Sequence, residues 1–114
     1  MKKIAVIVAM LMVLIAPLET KAQYFSGNQI MDAIRKKESS NFSDGVLTGY
    51  VAAVYDALPA DDMKALGICV PPRATLGQLI EVFTKFIKRN PELWDKNAAS
   101  LVTISLMQSF PCPK

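Results

Sequence analysis

Prolines do most to limit what this chain can fold into. Beyond the N-terminal apolar run they stand at Pro59, Pro71-Pro72, Pro91, Pro111 and Pro113. Proline lacks a backbone N–H and its ring collides with the preceding helical turn, so helices end at or before it. The intervals between these prolines therefore bound the elements. Within them apolar residues recur three and four apart, and no run sustains a two-residue alternation. The pattern predicts an all-α domain, a small four-to-five-helix bundle with little or no sheet.

The first helix is predicted from Gly27, after a capping box in which Ser26 and Gln29 satisfy each other's amides. Ile30, Met31, Ala33 and Ile34 form its apolar face, and Arg35-Lys36-Lys37 fills the last turn, where cations suit the helix dipole. The second runs from about Phe42 to Leu58, capped by Ser40 or Asn41. It has two adjoining apolar faces: Phe42, Val46, Gly49, Tyr50, Ala53 and Ala57, then Leu47, Val51, Val54 and Leu58. That girth predicts a central helix, and Gly49 predicts a close neighbour. A short helix over 60–66 follows, with Asp61-Asp62 in its first turn and Gly67 at its end. Residues 68–72 are extended because they precede prolines. A second capping box, Thr75 with Gln78, opens a helix from Leu76 to Arg89. Leu76, Leu79, Ile80, Phe83, Phe86 and Ile87 point inward there, and Glu81 can pair with Lys85. The last helix starts at Asp95 or Asn97 and turns Leu101, Ile104, Met107 or Gln108, and Phe110 inward. Met31, Met63 and Met107 are read as core filler.

The N-terminus reads differently. Met1-Lys2-Lys3 precedes an apolar run over residues 4–18, and Thr20-Lys21-Ala22 offers small residues at the −3 and −1 positions of a cleavage site. This is the pattern of a secretory signal peptide, cleaved after Ala22, which leaves a domain of residues 23–114. The run is short for a membrane span, so no stable anchor is expected after cleavage. No cysteine follows it that could carry a lipid. Cleavage removes Lys2, Lys3, Lys21 and Glu19, so the full chain's net charge of +3 overstates the basicity of the remainder. No basic patch with interleaved aromatics argues for nucleic acid.

Two cysteines remain, Cys69 and Cys112. In an oxidising compartment they can form one intramolecular disulfide, worth about 4 kcal/mol for a loop of this length. A free, reactive or metal-binding pair is the other reading. The chain contains no histidine, the commonest general base and metal ligand. It has no nucleophile elbow, P-loop or dinucleotide turn. Asp61 and Asp62 are adjacent on a helix and do not face each other, so they make a poor acid–base pair. No catalytic residue, metal ligand or cofactor is predicted, and the chain is read as a binding protein rather than an enzyme. Candidate partner-binding residues lie in two loops: Asp61, Asp62, Met63 and Lys64, and Asn90, Glu92 and Trp94. Trp94, the sole tryptophan, either anchors a partner or covers the core between the last two helices.

An ordered set of short motifs carries a family resemblance. Gly27-Asn28-Gln29 is followed by Gly49-Tyr50-Val51-Ala52-Ala53-Val54-Tyr55-Asp56-Ala57-Leu58, then Ile68-Cys69-Val70-Pro71 before Thr75-Leu76-Gly77-Gln78-Leu79. Asn90-Pro91-Glu92, Ala98-Ala99-Ser100-Leu101-Val102 and Phe110-Pro111-Cys112 complete it. The order and spacing resemble the Rap/Tai-type immunity protein domain, over nearly all of residues 23–114. The resemblance implies a small helical periplasmic protein, often a homodimer, that binds and sterically inhibits a peptidoglycan amidase effector of type VI secretion. It matches Cys69 and Cys112 to a disulfide of the family. A second cysteine pair present in many relatives is replaced near Ile34 and Leu47 by apolar residues, as expected if buried packing substitutes for it. Two other readings fit size and compartment: a periplasmic acid-stress chaperone, or an orphan binding protein of the same fold. A lipid or small-molecule carrier lacks any polar handle for a ligand.

Overall fold

Each long helix starts where a side chain can take up its unpaired amides. A computed structural model describes residues 2–7 and 24–114. Its elements are α1 (Gly27–Lys36), α2 (Asn41–Ala57), α3 (Ala60–Ala65), α4 (Leu76–Arg89), a 3₁₀ turn (Pro91–Leu93) and α5 (Ala98–Ser109). Both capping boxes form: Ser26 with Gln29 on α1 and Thr75 with Gln78 on α4. Ser40 caps α2, and Asn97 Oδ1 accepts from Ala99 N (2.9 Å) and Ser100 N (3.3 Å) to open α5. Each such cap is worth about 1 kcal/mol. Among the described residues there is no β-strand, only the isolated antiparallel bridges Ser26–Asn97 and Ile68–Pro111. Residues 2–7 are helical and exposed. The predicted cleavage site and most of the apolar run lie outside the described residues.

The four long helices α1, α2, α4 and α5 all contact one another. Between them lies one core, built on Ile30, Ile34, Leu47, Val51, Phe83, Ile87, Leu101, Val102 and Leu106. Phe25, just before α1, packs edge-on against Tyr50 halfway along α2, with ring centroids 5.3 Å apart. Ile34 and Leu47 are both buried in the core.

Several inward faces differ from the periodicity reading. On α2 only Leu47 and Val51 are buried, while Phe42, Gly49, Ala53 and Ala57 are exposed. Leu47 and Val51 face the core, while the small residues and Phe42 at the first turn face out, so α2 presents one buried stripe although it touches every other long helix. No atom lies within 4 Å of a Cβ built on Gly49. The close approach is at Gly27, where such a Cβ would meet Trp94 Cα at 2.7 Å. On α5 the buried set is Ala98, Leu101, Val102, Ser105 and Leu106, and Ile104 and Met107 are exposed. Ser105 can turn inward because its hydroxyl donates to Val102 O at 2.6 Å, and that buried hydroxyl shifts the apparent phase of the helix. Gln108 is likewise exposed, and so is Leu76 at the mouth of α4. Of the methionines, Met31 is buried and Met63 packs partly against the core. Among the described residues the ion pairs are the surface contacts Asp32–Lys36 (3.0 Å) and Asp95–Lys96 (3.8 Å), and Glu81 does not reach Lys85.

Cys69 and Cys112 are joined in a disulfide with Cα atoms 4.8 Å apart and 43 residues of separation. The ring so closed contains both α4 and α5. Hydrogen bonds flank it: Cys69 N donates to Phe110 O (2.7 Å) and Cys112 N to Gly67 O (3.1 Å). Gly67, at φ +75°, ends α3 in a Schellman motif, with Gly67 N donating to Lys64 O and Ile68 N to Met63 O.

Candidate partner-binding surface

The two loops singled out from the sequence lie at opposite ends of the bundle. The first, 90–97, joins the C-terminus of α4 to the N-terminus of α5. The second, around α3, leads through Gly67–Cys69 into the pairing with Phe110–Cys112 beyond the C-terminus of α5. Twelve residues of α5 separate these ends by about 18 Å. One copy of the chain therefore does not bring Asp61, Asp62, Met63 and Lys64 together with Asn90, Glu92 and Trp94.

At the 90–97 end most polar groups serve the fold. Asn90 Nδ2 donates to Phe86 O (2.7 Å) and Trp94 Nε1 to Ile87 O (2.7 Å), so both side chains satisfy terminal carbonyls of α4. The Trp94 ring packs against the core and carries the Arg35 guanidinium 5.3 Å from its centroid. The backbone is also occupied: Gly27 N donates to Lys96 O (2.9 Å), Asn28 N to Trp94 O (2.7 Å) and Ala98 N to Phe25 O (3.0 Å). This end is a joint that holds α1, α4 and α5. Glu92 stands exposed on it.

The α3 end is different. Pro59 precedes the helix without a side-chain cap, and no residue of α3 is buried. Asp61, Asp62 and Lys64 are exposed and take part in no ion pair among the described residues. Met63 turns toward the core and fixes the helix's roll. The outer face therefore offers two carboxylates and one ammonium that a partner can engage without breaking an internal contact.

Residues outside both loops also shape the surface. Val54, Ala57 and Leu58 of the α2 end line a shallow groove of about 420 Å³ with Ala99, Thr103 and Ile104 of α5. Burial raises the Tyr50 phenol above its ordinary value, and a backbone hydrogen bond with Ala99 opposes that shift. Among the described residues no three acidic or cysteine side chains gather to hold a metal. Periodicity marks neither the tight fit of Gly27 nor the burial of Thr84. The structural demand on Gly27 comes from residues some seventy positions away, which no local pattern encodes.

Fold and surface define a small four-helix domain closed by a single disulfide, with one scaffolding end and one sparsely anchored end. Residues 26–112 match the family of Rap1a immunity proteins, and the chain belongs to that family. The match begins at the residue that caps α1 and ends at the second cysteine of the disulfide. No curated protein and no solved structure matches the chain.

Proposed function

We propose that this chain is a periplasmic immunity protein. After removal of residues 1–22 it binds a peptidoglycan amidase effector of type VI secretion and sterically blocks its cleft. Membership of an immunity-protein family across the entire folded domain is the observation that carries this reading. The signal-peptide pattern of the N-terminus and the disulfide agree with an exported protein. We assign the docking element to the α3 end, because its charged side chains are exposed and uncommitted. Asp61, Asp62 and Lys64 are the contact residues in this reading. Asn90 and Trp94 hold the scaffold, and Glu92 is a peripheral contact at most. A homodimer would meet through the uncharged groove between α2 and α5, where Ala57 and Ile104 are exposed.

The test begins with the exported, oxidised protein as bait in a lysate of the source bacterium. Recovery of a small amidase whose hydrolysis of purified peptidoglycan stops in the complex supports the reading. Absence of any such amidase counts against it. Combined Asp61→Ala, Asp62→Ala and Lys64→Ala substitutions should then lose inhibition, and retained inhibition moves the docking site away from α3.

A further inference from the structure

α3 has few side-chain anchors of its own. Between Leu58 and Thr75 only Ile68 is fully in the core, at 2% exposure, with Met63 and Val70 partly packed against it. The segment is held instead through its backbone. Ile68 bridges Pro111, Cys69 N donates to Phe110 O, and Cys112 N donates to Gly67 O. All these contacts fall within two residues of the disulfide, and they hold the C-terminal tail as well as α3. Apart from Ile68, the buried core belongs entirely to the four long helices. Opening the disulfide thus removes the strap of one segment and leaves the buried contacts of the bundle in place.

We propose that the Cys69–Cys112 disulfide is a redox-dependent strap for α3. When it is closed, α3 is fixed against the end of α5 in the form that meets a partner. When it is open, α3 and the tail loosen while the bundle stays folded. Closure converts two thiols to one disulfide. A disulfide-bearing oxidant of the cell envelope accepts the two electrons and two protons and leaves as its dithiol. The chain then becomes competent to bind only after export to an oxidising compartment. This rests on the reading of α3 as the docking element.

The experiment needs no partner. Amide hydrogen exchange, followed by mass spectrometry, compares the oxidised protein, the same protein reduced with dithiothreitol and alkylated, and the Cys69→Ser/Cys112→Ser variant. Far-UV circular dichroism runs alongside. The expected result is unchanged helicity, with exchange in peptides covering residues 58–72 and 110–114 at least tenfold faster in both open forms, and protection retained in α1, α2, α4 and α5. Unchanged exchange in those two segments overturns the proposal. So does equal acceleration through all four long helices, which would make the disulfide a staple of the whole domain. Either failure leaves α3 as a docking element to be judged by the alanine substitutions above.

Discussion

Gly27 has the least room of any glycine in the domain, and replacing it sets a quantitative test. A Cβ there would lie 2.7 Å from Trp94 Cα, 2.8 Å from Leu101 Cδ1 and 3.0 Å from Trp94 O. The Leu101 methyl can rotate away. The Trp94 backbone can retreat only by stretching Asn28 N–H···O Trp94 (2.7 Å) and Gly27 N–H···O Lys96 (2.9 Å). Overpacking costs about 1–3 kcal/mol, and each weakened hydrogen bond up to about 1 kcal/mol. Better helix propensity returns less than about 1 kcal/mol. Gly27→Ala should therefore destabilise the domain by about 2–3 kcal/mol, a fall in Tm of roughly 10–20 °C at this chain size. Gly45→Ala in α2 is the control, since nothing lies within 4 Å of a Cβ at that position. It should stabilise by about 0.5–1 kcal/mol. Thermal and urea unfolding of the oxidised protein, followed by circular dichroism, measures both. If Gly27→Ala stays within about 0.5 kcal/mol of the parent, or if both substitutions shift stability the same way, the tight joint between α1 and the 90–97 loop is refuted.

Three further substitutions test other parts of the fold. Thr84 is buried and its hydroxyl has no hydrogen-bond partner, so Thr84→Val should stabilise by about 1 kcal/mol, read as a higher urea midpoint. Trp94→Phe removes the indole donor to Ile87 O and leaves a smaller, weaker π face under Arg35, and should cost about 1–2 kcal/mol by the same measurement. Tyr50 gives a pH signature. Its folded pKa is raised above 10.0, so both states keep the proton at lower pH, while above that value the unfolded chain ionises first and stability falls. Unfolding midpoints taken at about pH 8 and about pH 11 should therefore drop further in the parent than in Tyr50→Phe.

What the sequence made legible was local. Ser26 with Gln29 and Thr75 with Gln78 announce their helices because the capping contacts span only three residues. Leu79, Phe83, Phe86 and Ile87 reveal their face because the opposite face of α4 is charged. Inward faces escape the pattern where that contrast fails. α2 and α5 are apolar or small around most of their girth, so periodicity alone cannot choose between Val46 and Leu47, or between Ile104 and Ser105. Tertiary packing made those choices through side-chain bulk in α2 and through the Ser105–Val102 hydrogen bond in α5. The role of Trp94 as a cap for α4, and the separation of the two candidate loops, depend on how α4 and α5 reverse direction. No spacing in the sequence carries that.

In the proposed reading the long axis of α5 separates stability from recognition. At its N-terminal end, Gly27, Asn90, Trp94 and Asn97 spend their polar groups and close contacts on joining three helices. A substitution there must register in Tm. At its C-terminal end α3 has no fully buried residue and its acidic side chains are exposed, so replacing Asp61 or Asp62 by alanine removes no internal partner and should change stability by less than about 0.5 kcal/mol. An affinity loss on α3 without a Tm loss would identify direct contact with the effector. The same affinity loss accompanied by a large Tm loss would mean that α3 carries the fold, and would remove the reason for placing the docking element there. Glu92 sharpens the comparison: it is exposed at the scaffolding end, so Glu92→Ala should leave both quantities unchanged. Loss of affinity at Glu92, with none at Asp61 or Asp62, would turn the assignment end for end.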